Sequence, residues 1–211
     1  MQQFNEIPTL SDRLRQIVEL SYTILCNKVA AGSFNVPNEA SIQMQLGSII
    51  NWVGKMFEFD KHDRVVVELE SPKEIAKTSK SISGRARCDI YVTLSCGESK
   101  AVAAIELKHL KKDPNEAVTD NRFSVLQDLE NLEQYKASES ELLCYEIVYT
   151  ENINHTLCKE NCVVNIGNGA IAPQLLEYTQ NRKVKLNGTY TFLWNVYKEG
   201  EGYHCFLKVA F

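Results

Sequence analysis

The stretch that most constrains this chain runs from Gly84 to Lys112, GRARCDIYVTLSCGESKAVAAIELKHLKK. Cys88, Ile90, Val92 and Leu94 alternate with Arg87, Asp89, Tyr91 and Thr93, the two-residue period of a strand with one apolar and one polar face. A second run, ending in Glu106, Leu107 and Lys108, follows after SCGESK. Gly97-Glu98 suits a two-residue turn, with glycine at the first central position, so the two runs read as a β-hairpin. That turn fixes the register: Cys96 pairs with Ser99, Asp89 with Glu106, and Arg87 with Lys108.

Carboxylates directly opposite one another on a sheet have Cβ atoms about 5 Å apart and repel. A hard divalent cation between them removes the repulsion, and oxygen ligands at close range are what magnesium or manganese prefers. Lys108 lies two residues beyond Glu106 and shares its face. An ammonium there can orient or help deprotonate an attacking water, or offset charge on a phosphate.

Asp89, a turn, and then Glu106-Leu107-Lys108 closing an apolar strand resemble the motif of the PD-(D/E)XK nuclease superfamily, the restriction endonuclease-like proteins. A Gly-Arg run before the aspartate and basic residues after the lysine add to the likeness. NEASIQMQLGSII, from Asn38, also resembles the opening helix of that superfamily, where a glutamate near the helix start reaches the metal. The resemblance implies that Asp89, Glu106 and the Leu107 carbonyl hold Mg2+ or Mn2+, that Glu39 completes the site, and that Lys108 positions the water. Glu39 has a structural reading too, as a carboxylate favoured by the helix dipole behind an Asn38 cap. Glu68 is the reserve third carboxylate, with a solvated strand face as its first reading.

The pattern around the motif gives the expected order. Residues 10 to 31 form an amphipathic helix closed by Gly32, and a second helix starts at about Asn38 with Ile42, Leu46, Ile49, Ile50 and Val53 on one face. Val65 to Glu70 alternates as a strand. After the hairpin, KKDPNEAVTDNR reads as a loop over the active face, followed by a helix from about Arg122 to Lys136. On that helix Gln127, Asp128, Asn131 and Gln134 are taken as solvent-facing. Leu142 to Tyr149 reads as a strand buried on both faces. Helix, three strands, helix and strand over about residues 38 to 150 is the order of the PD-(D/E)XK core. The expected fold class is therefore α/β, a mixed sheet flanked by helices, in a single domain over 1–211 with an extra N-terminal helix and a C-terminal β-hairpin. Beyond it, a helix is expected near Pro173 to Thr179, then two strands, Thr189 to Tyr197 and Tyr203 to Val209. That hairpin would extend the sheet or form a dimer contact.

Composition narrows the classes. With 44% hydrophobic and 24% charged residues the chain can build an ordinary core, and no apolar run is long enough to span a bilayer. A cytoplasmic protein without a membrane partner is expected. The seven cysteines are scattered and mostly in apolar runs, which reads as reduced thiols. His155, Cys158 and Cys162 cluster, but without a second ligand pair they read as a loop rather than a zinc site. A formal charge of −4 argues against indiscriminate coating of nucleic acid. Local basic clusters nevertheless flank the motif: Lys73, Lys77, Lys80, Arg85 and Arg87 before it, and Lys111 and Lys112 after it. Arg85, Arg87 and Lys111 are the candidate phosphate contacts.

The expected activity is metal-dependent phosphodiester hydrolysis, most simply an endodeoxyribonuclease of restriction-like or DNA-processing type, with RNA as the other substrate and a homodimer for double-strand cutting. Two other readings stand beside it. One is a noncatalytic member of the same fold that binds nucleic acid or protein. The other is an unrelated α/β protein in which Asp89 and Glu106 lie far apart.

Overall fold

The computed structural model describes residues 8–74, 76–81, 83–111, 118–158 and 164–211. Two helices come first. α1 spans Leu10–Ala30, capped by Thr9, whose hydroxyl accepts from the Asp12 N–H, and it ends just before Gly32, whose φ of 65° a side chain would resist. α2 spans Glu39–Met56 behind a reciprocal cap in which the Asn38 side chain accepts from the Ser41 N–H and the Ser41 hydroxyl receives the Asn38 N–H.

Three strands follow, β1 (Asp63–Glu74), β2 (Arg85–Cys96) and β3 (Ser99–Leu110), then α3 (Val118–Ser138) and β4 (Leu143–Thr150). After a single 3-10 turn at Ile153–His155 come β5 (Gly169–Ile171), β6 (Gln174–Thr179), β7 (Arg182–Leu186), β8 (Tyr190–Phe192), β9 (Trp194–Glu199) and β10 (Gly202–Ala210). The main sheet has the order β1-β2-β3-β4-β10-β9. β3 and β4 run parallel and the other neighbours antiparallel, so the sheet is mixed. α3 makes the crossover that a parallel pair requires. The chain is thus an α/β protein whose mixed sheet carries helices on both faces. Among the described residues no helix is long and apolar enough to cross a membrane.

The sheet separates two cores. On one face Leu14, Ile17 and Leu25 of α1 and Ile42, Leu46 and Ile50 of α2 pack on Ile90, Val92, Ile105 and Ile147. On the other, Phe123, Leu126, Leu129 and Leu132 of α3 pack on Val102, Ala104, Cys144 and Val148. β6 and β7 then cover the outer side of α3 through Leu176, Val184 and Leu186. This second cover corrects two expectations. Pro173 to Thr179 is not a helix: Gln174–Thr179 pairs with Arg182–Leu186 around Gln180-Asn181, placing Leu176 against the core while its neighbours face solvent. The polar side of α3 is not solvent-facing either, since Asp128, Glu130 and Asn131 are all buried.

Thr189 to Tyr197 also divides, into β8, which pairs with β5, and β9, which pairs with β10. The C-terminal hairpin does extend the sheet, through pairing of β10 with β4.

One buried ion pair ties α1 to the sheet. Arg13 of α1 reaches Asp63 at 2.6 Å and the Phe57 carbonyl at 3.0 Å. Asp63 also accepts the N–H groups of Phe59 and Asp60, so one carboxylate fixes the turn that feeds β1. The Arg13 guanidinium holds the Asp63 carboxyl well below the usual carboxylate range despite its burial. That stabilisation is complete above the ordinary carboxylate pKa and disappears as pH falls through the lower folded value. Arg13→Ala leaves the carboxylate buried without its cation and should cost about 3 kcal/mol in urea unfolding at neutral pH. The difference from wild type should shrink below about pH 4.

Candidate active site

The candidate site forms where β2 leaves β3. Their ladder runs from Cys96↔Ser99 to Ile90↔Ile105 and then gives way to a side-chain bond: the Leu107 N–H donates to Asp89 Oδ2 at 2.7 Å. From Cys96 to Ile90 the register is the one expected from the Gly97-Glu98 turn, but the ladder ends before the expected pairing of Asp89 with Glu106. Beyond Ile90 the strand continues only with β1, from Ser71↔Cys88 to Glu74↔Arg85, and Arg87 therefore lies opposite Pro72 rather than Lys108.

Asp89 is stepped over in the β1 ladder as well, together with Glu70, whose φ is 53°. A non-glycine residue in the left-handed region within a strand marks a local bend. Gln43 of α2 braces it, donating to Glu70 Oε1 at 3.0 Å and to the Asp89 carbonyl at 2.7 Å. The bend also reverses the face alternation. Cys88 packs with the α3 core, whereas Ile90, Val92 and Leu94 pack with the α1–α2 core, so the single alternating face expected across all four is interrupted at Asp89.

Glu106 and Lys108 project from the α3 face of β3. Glu106 is 1% exposed and its Oε1 accepts from the Tyr135 hydroxyl at 2.9 Å. The Lys108 ammonium lies 3.1 Å from Asp128 Oδ2 on α3 and 3.3 Å from Glu39 Oε2 at the start of α2. Glu39 also accepts the His109 N–H at 3.3 Å. The helix-start glutamate therefore does reach the end of β3 that carries the motif. Asp128 is shared, because Lys80 from the loop before β2 pairs with its other oxygen. Glu146, on β4, is fully buried, and among the described residues neither of its carboxylate oxygens has a hydrogen-bond partner.

Five carboxylates, those of Glu39, Asp89, Glu106, Asp128 and Glu146, thus share a neighbourhood with two ammonium groups, Lys80 and Lys108. Burial first, then the Leu107 N–H opposing it and the charges of Glu39 and Asp128 adding to it, set the Asp89 carboxyl at about 6. Burial pushes Glu106 well above the ordinary range, and Asp128 and Asp89 push it further. Glu146 rises for the same reasons, burial and then Asp128. Burial alone would depress Lys108, but Asp128 and Glu39 outweigh it and hold the ammonium above the usual lysine range.

Carboxylate and carbonyl oxygens of the kind gathered here are the donors a hard divalent cation takes. Half-buried Asp89 and buried Glu106 repel one another, and among the described residues no cation pairs directly with either. The Leu107 carbonyl belongs to the residue whose N–H already anchors Asp89. Among the described residues no three His, Cys, Asp or Glu side chains stand together as a preformed metal cage. Magnesium asks for less, since it is commonly held by one or two carboxylates and keeps several waters.

Arg85 and Arg87 are exposed on the β1–β2 ribbon beside a cavity of about 540 Å³ lined by Pro72, Lys73, Glu74, Arg85, Ala86 and Arg87. Lys111 is exposed just past β3, while Lys112 and most of the following loop lie outside the described residues. Glu68 is exposed opposite Tyr91 and does not join the carboxylates at β3. His155 is buried, Cys158 is exposed, and Cys162 lies outside the described residues.

Asp128, Glu146, Tyr135 and Lys80 are the site neighbours that the motif does not name. Glu146 had a signal, as the lone charge in an otherwise apolar or aromatic strand. Asp128 had one too: it precedes Leu132 by four residues and Tyr135 by seven, which puts it on the buried face of α3.

Comparison of the chain with protein-family models, with curated proteins and with solved structures returns no match. The reading of the site therefore rests on its own geometry. A carboxyl with a raised folded pKa favours folding while protonated, and that contribution is lost as pH rises from the unfolded value through the folded one. Asp89→Asn should therefore be more stable than wild type by roughly 1–3 kcal/mol at pH 8 in chelator. The advantage should vanish by about pH 3, where Asp89 is largely protonated in both states. Urea titrations at the two pH values measure it.

Proposed function

We propose that this chain is a metal-dependent nuclease with a restriction endonuclease-like core, hydrolysing phosphodiester bonds in DNA. The observation that carries the reading is the convergence of Asp89, Glu106, Lys108 and Glu39 at the point where β2 parts from β3. Three separate elements bring these side chains together, and the α2-β1-β2-β3-α3-β4 order is the one the resemblance implies.

Each residue then has a role. Asp89, fixed by the Leu107 N–H, forms the solvent-facing edge of the ligand set, and Glu106, oriented by Tyr135, forms its inner edge. Bound there with the Leu107 carbonyl, Mg2+ or Mn2+ would lower the pKa of a water and offset charge on the scissile phosphate. Lys108, flanked by Glu39 and Asp128, stays an ammonium at neutral pH. It therefore acts as a donor and a positive charge toward the water or the phosphate, not as the base that removes the proton. Glu39 holds that ammonium and receives the His109 N–H, which fixes the end of β3. Arg85 and Arg87 on the ribbon, and Lys111 beyond β3, flank this edge as phosphate contacts.

Cleavage of plasmid DNA should appear with Mg2+ or Mn2+ and disappear in chelator. Glu106→Gln and Lys108→Ala should each lower kcat about 100-fold or more. The metal ions should raise the melting temperature of wild type and leave that of Glu106→Gln unmoved. A folded wild type that shows neither cleavage nor a metal-dependent melting shift would contradict the reading.

A further inference from the structure

Lys80 lies outside the motif, yet the loop that carries it is built onto α3 at several points. The Thr78 hydroxyl donates to Asn131 at 2.6 Å. The Ser79 N–H donates to Glu130 Oε2 at 2.8 Å, the Ser79 hydroxyl donates to the same carboxylate, and Gln127 Nε2 donates to Ser79 Oγ at 3.3 Å. Lys80 itself pairs with Asp128. A surface loop held only by chance packing would not satisfy three successive side chains on one helix face. The docking delivers an ammonium to the carboxylate cluster, where burial alone would depress Lys80 but Asp128, and after it Glu106, outweigh that and keep it charged.

The two lysines bound to Asp128 differ in access. Lys108 is 17% exposed and lies between two carboxylates, Asp128 and Glu39. Lys80 is 42% exposed, and Asp128 is its only ion-pair partner among the described residues. A site with more carboxylates than ammonium groups repels an incoming phosphodiester. A cation at its mouth offsets that repulsion where the polymer first meets it. Lys108 lies too deep and is too fully engaged for this, whereas Lys80 is placed for it.

We propose that Lys80 is a second substrate-contacting ammonium of this site, held at its mouth by Asp128 and by docking of residues 78–80 on α3, and that it binds a backbone phosphate of the nucleic acid. The assignment rests on the nuclease reading above and extends it to a residue the motif does not contain.

The test compares Lys80→Ala and Lys80→Arg in a Glu106→Gln background in chelator, where the substrate is not cut, by titrating a short DNA duplex at several salt concentrations. One lost phosphate contact weakens binding several-fold and makes the slope of log K against log salt shallower by about one unit. That is the expected result for Lys80→Ala, with Lys80→Arg keeping the wild-type slope. Lys55→Ala is the control for net charge, because Lys55, in the last turn of α2, pairs with Glu58 and among the described residues has no ion pair with a site residue. It should leave the slope unchanged. With Glu106 restored, Lys80→Ala should raise KM while kcat stays within a few-fold. An unchanged slope in a folded Lys80→Ala, or a fall in kcat alone, would overturn the assignment and leave the nuclease reading in place. Wild type that neither binds nor cuts DNA would instead remove the nuclease reading, and this assignment with it.

Discussion

The structure around the site depends on one break in hydrogen bonding. At Asp89 the β2 strand stops pairing with β3, and a carboxylate takes up the Leu107 N–H. If the ladder had continued, Asp89 and Glu106 would be direct cross-strand neighbours; the break instead frees the Asp89 carboxylate to take the Leu107 N–H. The break leaves β2 paired with β1 alone and the β2-facing edge of β3 unpaired beyond Ile105. Gln43 stabilises the bend by donating to backbone and side chain across it. Left-handed Glu70 shows where the strand yields.

Charge follows from that geometry. Once Glu106 and Lys108 turn toward α3, they meet Asp128 and Glu146 in an interior that cannot solvate them. The outcome is a hierarchy: Asp128 holds two lysines, Tyr135 serves Glu106, and Glu146 is left without a hydrogen-bonding partner among the described residues. Burying carboxylates this way opposes folding, since each loses hydration and gains like-charged neighbours. Such an arrangement is more readily explained by a task that needs negative charge at this edge than by stability. Asp63 makes the contrast, because it is equally buried but has a bidentate cation and two N–H donors.

Much of this was legible in the residues. The Gly97-Glu98 turn specified the hairpin register, and Asn38 and Gly32 specified where one helix starts and another stops. Those signals are local, and local chemistry decides them. The rest was set by contacts that no local pattern carries. Whether the polar side of α3 meets water depends on β6 and β7, which arrive some fifty residues later and bring Lys185 to Glu130 and Asn187 to Glu133. The parity switch at Cys88 accompanies a bend braced by Gln43, which lies on α2 and 46 residues before Asp89. Lys80 looked like one more charge in a basic loop, because its partner, Asp128, lies 48 residues further on.

The central claim is that the parted edge between Asp89 and Glu106 is a divalent-metal site. A crystal structure of the protein grown with Mn2+, with diffraction recorded where manganese scatters anomalously, tests it most directly. The account predicts an anomalous peak in contact with the Asp89 and Glu106 carboxylates and the Leu107 carbonyl, with Lys108 beside it. Bound manganese found elsewhere with that edge empty, or the two carboxylates sharing a proton with no metal between them at saturating Mn2+, would contradict it.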